Sequence, residues 1–99
     1  MNRAQILSTA TEYVTKDRAA DHGDMEDNFN RIAGMWAAYL GVDVSASDVA
    51  AMMVLLKMAR ARGVPGHEDN WIDAAGYAAC GGEAATRHCP RLETVSAKT

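Results

Sequence analysis

A chain of 99 residues with a formal net charge of -3 has room for one core and not for a second domain. The acidic balance argues against a protein whose main business is the phosphate backbone of nucleic acid, which calls for a basic face. No apolar run reaches the length of a bilayer span. Alanine and methionine abound, Phe occurs once, and runs of β-branched residues are almost absent, so an all-α protein is predicted. The first residues, Met1-Asn2-Arg3-Ala4-Gln5, lack the layout of a signal peptide, and a cytoplasmic location is expected. Cys80 and Cys89 form no CxxC unit, and a reducing compartment disfavours a disulfide between them. With His67 and His88 they match no zinc-ligand spacing.

Along residues 2–17, Ile6, Ala10, Tyr13 and Val14 recur at the spacing of one helical face, while Glu12 and Lys16 suit an exposed i,i+4 pair. Gly23 then breaks the pattern, and Asp24 with Asp27 three later resembles an N-terminal cap for a second helix. The apolar face predicted for that helix is Met25, Phe29, Ile32, Ala33, Trp36, Tyr39 and Leu40, with Gly41 as its stop. Asn28 falls within this apolar sector. A buried amide costs a few kcal/mol unless it is hydrogen-bonded, so Asn28 needs a partner, either a loop or a ligand.

Ser45-Ala46-Ser47-Asp48 opens a third helix with a capping-box-like pattern that makes Asp48 structural. From Val49 to Ala59 this helix is apolar on every side except at Lys57. Such a helix must be covered all round, and four helices supply too little cover, so a homo-oligomer is expected. Lys57 and Arg60 lie about 60° apart on one side of it. They are natural partners for inward carboxylates or a ligand phosphate, or else cations that snorkel at the rim.

Residues 60–66, with Gly63, Pro65 and Gly66, read as a loop, and the fourth helix is predicted over 67–85. Asp69 and Asp73 are four apart on one stripe of it, with Tyr77 at its edge. Two like charges so spaced cost an isolated helix roughly 0.2 to 0.5 kcal/mol and call for a compensating cation or metal. Asp69 in the first turn is also an ordinary complement to the helix dipole, an explanation that fades by Asp73. Close packing or a frayed end must account for Gly76, Gly81 and Gly82. Residues 87–99 have no periodic apolar face and are expected to form a loosely ordered tail after a helical domain over 1–86.

His22-Gly23-Asp24 before Asn28-Phe29, then Asp48-Val49-Ala50 with Leu56-Lys57 and Arg60, then Asp69, Asp73 and Gly76-Tyr77, together resemble a family of small phage and prophage proteins. The resemblance runs to about Glu83. That family is in turn similar to the all-α, MazG-like nucleoside triphosphate pyrophosphohydrolases, whose facing helices hold magnesium against nucleotide phosphates. The chain departs from the MazG-like pattern at two places. Asp24-Met25-Glu26-Asp27 stands where Glu-x-x-Glu is expected, and the four-residue spacing of Asp69 and Asp73 replaces a Glu-x-x-Asp.

The resemblance implies a helical-bundle phage protein acting in the host cytoplasm on a nucleotide. Asp24, Asp27, Asp69 and Asp73 would hold Mg²⁺, Lys57 and Arg60 would meet phosphate, and His22, Asn28 and Tyr77 would hold base or sugar. Three readings stand side by side: a pyrophosphohydrolase, a nucleotide-binding module without turnover, and an oligomeric scaffold in which the aspartates simply pair with Lys57 and Arg60.

Overall fold

The computed structural model describes residues 1–17 and 25–87, and these are helical, with no strand among them. Helix α1, Arg3–Glu12, starts at a capping box in which the Gln5 N–H donates to Asn2 Oδ1 and the Asn2 N–H to Gln5 Oε1, both at 2.8 Å. The helix predicted through residue 17 widens over Tyr13–Asp17 into a π-helical turn. Thr11 and Thr15 there return their hydroxyls to the carbonyls of Leu7 and Thr11, at 2.9 and 2.6 Å. Such bonds compete with the regular ladder.

Helix α2, Met25–Leu40, buries Phe29 and Ala33 and packs Ile32 and Trp36 against the core. Its predicted apolar face needs correcting at the far end. Tyr39 is 89% exposed and Leu40 half exposed, so the covered stripe of α2 ends at Trp36. Gly41 ends the helix as its sequence suggests, at φ 74°, with its N–H donating to the Ala37 carbonyl.

Helix α3, Ala46–Gly63, opens with the predicted box: the Asp48 N–H donates to Ser45 Oγ at 3.1 Å and the Ser45 N–H to Asp48 Oδ2 at 3.0 Å. It runs beyond the predicted break at residue 60, because Ala61 and Arg62 are good helix formers and only Pro65 forces the preceding residue out of helical geometry. Ala46, Val49, Ala50 and Ala61 are buried, whereas Met52 and Leu55 on the opposite side face solvent. The cover expected all round this helix is therefore missing on one side of a single copy.

Helix α4, Glu68–Arg87, extends two residues past its predicted end. Trp71 Nε1–H donates to the Pro65 carbonyl at 2.9 Å and pins the incoming loop. A Cβ on Gly81 would stand 2.8 Å from the Ala50 Cβ, so glycine is what lets α3 and α4 approach there. The core forms where α2, α3 and α4 meet, around Phe29, Ala33, Val49, Ala50 and Cys80. The rings of Phe29 and Tyr77, stacked with centroids 6.2 Å apart, join α2 to α4. Among the described residues no helix is long and apolar enough to cross a membrane.

Candidate functional site

The π-helical turn, α2, α3 and α4 enclose a cleft of about 420 Å³, within the usual range for small-molecule sites. Each wall follows from its element. The widened turn presents Tyr13, Val14 and Thr15, and the inner stripe of α2 presents Asn28, Phe29, Ile32 and Trp36. One stripe of α4, stepping by three and four, brings Asp73, Gly76, Tyr77, Cys80, Glu83 and Arg87 to the opposite side. A Cβ on Gly76 would lie 3.0 Å from Val14 Cγ1, so that glycine sits where the π-helical turn closes on α4.

Of the residues singled out from sequence, Asn28, Asp73 and Tyr77 line this cleft together. Lys57 of α3 is not part of the lining but pairs with Asp73, with Nζ 2.9 Å from Asp73 Oδ2. The two side chains are only 12% and 15% exposed, and the pair is thus largely withdrawn from water. Others lie elsewhere. Asp69 is 67% exposed, and its near ionic neighbour is the comparably exposed His67, with Nε2 3.8 Å from Asp69 Oδ2. Arg60 is exposed at the end of α3, and Asp27 is exposed on α2. His22 and Asp24 lie outside the described residues. So do His88 and Cys89.

Arg87, which the sequence pattern assigns to the tail, is the last residue of α4 and pairs with both Glu26 of α2 and Glu83 of α4 at the cleft rim. Glu83 and Arg87 are four apart, and that spacing is the signal the sequence offers. Tyr13 and Val14 belong to the apolar face read from the first helix, whereas Thr15 has no such signal and lines the cleft from the π-helical turn. The carboxylates of Asp73, Glu26 and Glu83 face two cations: Lys57, which pairs with Asp73, and Arg87 on the cleft wall. Among the described residues no three His, Cys, Asp or Glu side chains converge to hold a metal ion, and the Asp73 charge is already offset by Lys57. The described residues do not form a metal cage.

Residues 5–85 match the family described as Domain of unknown function (DUF6378). The chain belongs to this family. It is 49% identical over 74 residues to the Gene 55 protein of Mycobacterium phage L5, covering 74% of this chain and 47% of that relative. To the Gene 55 protein of Mycobacterium phage D29 it is 39% identical over 75 residues, covering 76% of this chain and 50% of the relative. Both relatives are phage proteins, and this chain spans about half the length of each. No solved structure matches it. The span matched by the family takes in the whole of α2 and α3 and most of α4, and so the greater part of the cleft.

Proposed function

We propose that the cleft binds a nucleotide. The observation that carries this reading is the convergence of Asn28 from α2 with Asp73 and Tyr77 from α4 on one apolar cavity of suitable size. A nucleobase asks for aromatic and apolar walls and a few polar groups for its edge. Trp36, Tyr77 and the Asn28 amide supply these chemistries. The charged part of the ligand asks for cations; Arg87 lines the cleft and Lys57 is paired with the lining residue Asp73, each already held by carboxylates. A polyphosphate must therefore compete with Asp73, Glu26 and Glu83 for them.

Magnesium-dependent pyrophosphohydrolysis, as the MazG-like resemblance implies, is the second reading. What favours it is Asp73 on the cleft wall, since Mg²⁺ needs only one or two protein carboxylates when substrate phosphates fill other positions. Self-association belongs to the same account: the outer side of α3 exposes Met52 and Leu55, and a second copy would cover them.

The test is to melt the protein with each canonical ribo- and deoxyribonucleoside triphosphate, with Mg²⁺ and with chelator, and to analyse products. A ligand at a hundredfold excess over its Kd adds about 2.7 kcal/mol, which raises Tm by roughly 10 °C in a domain of this size. A rise without products establishes the binding reading. Pyrophosphate and monophosphate that vanish with chelator establish the hydrolase. If no nucleotide moves Tm and none is consumed, both are wrong.

A further inference from the structure

The outward side of α3 has a pattern that the cleft does not use. Asp48, Met52, Leu55, Ala59 and Arg62 recur at steps of four and three, and all five are exposed. Leu55 is 66% exposed, whereas Val49 and Ala61, on the other side of the helix, are buried. The stripe is apolar in the middle and carries opposite charges at its ends. Asp48 and Arg62 each stand seven residues from Leu55, about 10.5 Å along the axis. The small Ala51 and Ala59 each stand four residues from it and leave room for close approach. Arg62 has no ion-pair partner among the described residues.

We propose that α3 packs antiparallel against α3 of a second copy about a two-fold axis at Leu55, bringing Asp48 of each copy to Arg62 of the other. The inference rests on the self-association reading above and gives it a geometry. Under the two-fold the same patch serves both copies, as an isologous interface requires. The charge order selects the direction. A parallel pairing would set Asp48 against Asp48 and Arg62 against Arg62, which costs energy, while the antiparallel one makes two exposed pairs of opposite sign. Antiparallel helix dipoles add in the same sense. Capping is compatible with this, because Asp48 uses Oδ2 to accept from Ser45 and remains exposed.

The experiment combines sedimentation with cross-linking. The parent should be a dimer whose Kd rises with salt. Leu55→Glu should raise that Kd by at least about 30-fold while leaving the circular dichroism spectrum of the monomer unchanged, since Leu55 is exposed in one copy. Arg62→Glu should weaken the dimer and reverse the salt effect, because the new carboxylate then faces Asp48. In a Cys89→Ser background, Leu55→Cys should oxidise to a covalent dimer. Arg62→Cys should not, as the two positions would stand about 21 Å apart, beyond disulfide reach. A parent that is monomeric at micromolar concentration overturns both the self-association and its geometry. A dimer that keeps its Kd in Leu55→Glu, or that cross-links through position 62 and not 55, overturns this geometry alone.

Discussion

The first and second turns of α4 each carry an aspartate on the same stripe, and the two lead different lives. In the first turn Asp69 is 67% exposed beside His67. One turn on, Asp73 is 15% exposed and meets Lys57 at 2.9 Å. Opposite unit charges about 4 Å apart attract by about 1 kcal/mol in bulk water and about 4 kcal/mol at the effective dielectric near a protein surface, before the cost of withdrawing them from water is counted. Helical spacing therefore does not decide which carboxylate matters. What decides is the packing around α4, which buries Asn70 and Ile72 but leaves the Asp69 side chain in solvent and draws Asp73 against Lys57.

The most severe test of this contrast is Asp73→Asn. It leaves the Lys57 ammonium largely buried and without its charge partner, and should cost about 3 kcal/mol, a Tm drop of at least roughly 10 °C by calorimetry. Changing both residues, Asp73→Asn with Lys57→Met, should recover a large part of that loss, since no isolated charge remains. A fully additive pair would break the account of the ion pair. A smaller effect sharpens the role of helix packing. Gly81→Ala puts a methyl group 2.8 Å from the Ala50 Cβ, so α3 and α4 must separate, at about 1 to 3 kcal/mol in urea denaturation.

Asp69→Asn should stay within about 0.5 kcal/mol of the parent. If it cost as much as Asp73→Asn, the contrast between the two turns would be lost. The weakest effect is expected from Asp48, whose carboxyl is held below its ordinary value chiefly by the Ser45 backbone N–H, with the Ser45 side chain adding to it. A lowered folded-state pKa gives stability that is present above the unfolded value and is lost as pH falls through the folded one. Asp48→Ala should accordingly flatten the acid limb of the stability curve below about pH 4 and leave the slope near neutrality unchanged.

Much of this architecture is legible in the residue pattern. The capping box at Ser45 and the stop at Gly41 are local chemistry, and local chemistry is what a sequence displays directly. The pairing of Lys57 with Asp73 follows from charge compensation between two helices, and the inward position of Asn28 follows from periodicity alone. Other features depend on where helices end relative to one another. Tyr39 belongs to the apolar stripe of α2 and is still exposed, because periodicity says which residues share a face and not how far along that face a neighbour lies. Arg60 is three residues from Lys57, about 60° round α3 from it, and is exposed although the next residue, Ala61, is buried; the spacing alone does not say on which side of the covered stripe it falls. Arg87 joins the cleft because α4 continues past Ala85, and Thr15, off the apolar face read for the first helix, lines it from the π-helical turn.

The central claim is that a nucleotide seats between α2 and α4, and an NMR titration tests it most directly. The uniformly ¹⁵N-labelled protein would be titrated with each canonical nucleoside triphosphate in the presence of Mg²⁺. The account predicts saturable shifts concentrated at Asn28 and its side-chain amide, the Trp36 indole, and the backbone amides of Asp73, Gly76 and Tyr77, while His67 and Asp69 one turn away stay still. Shifts confined to His67 and Asp69, or no saturable shift with any nucleotide at millimolar concentration, would contradict it.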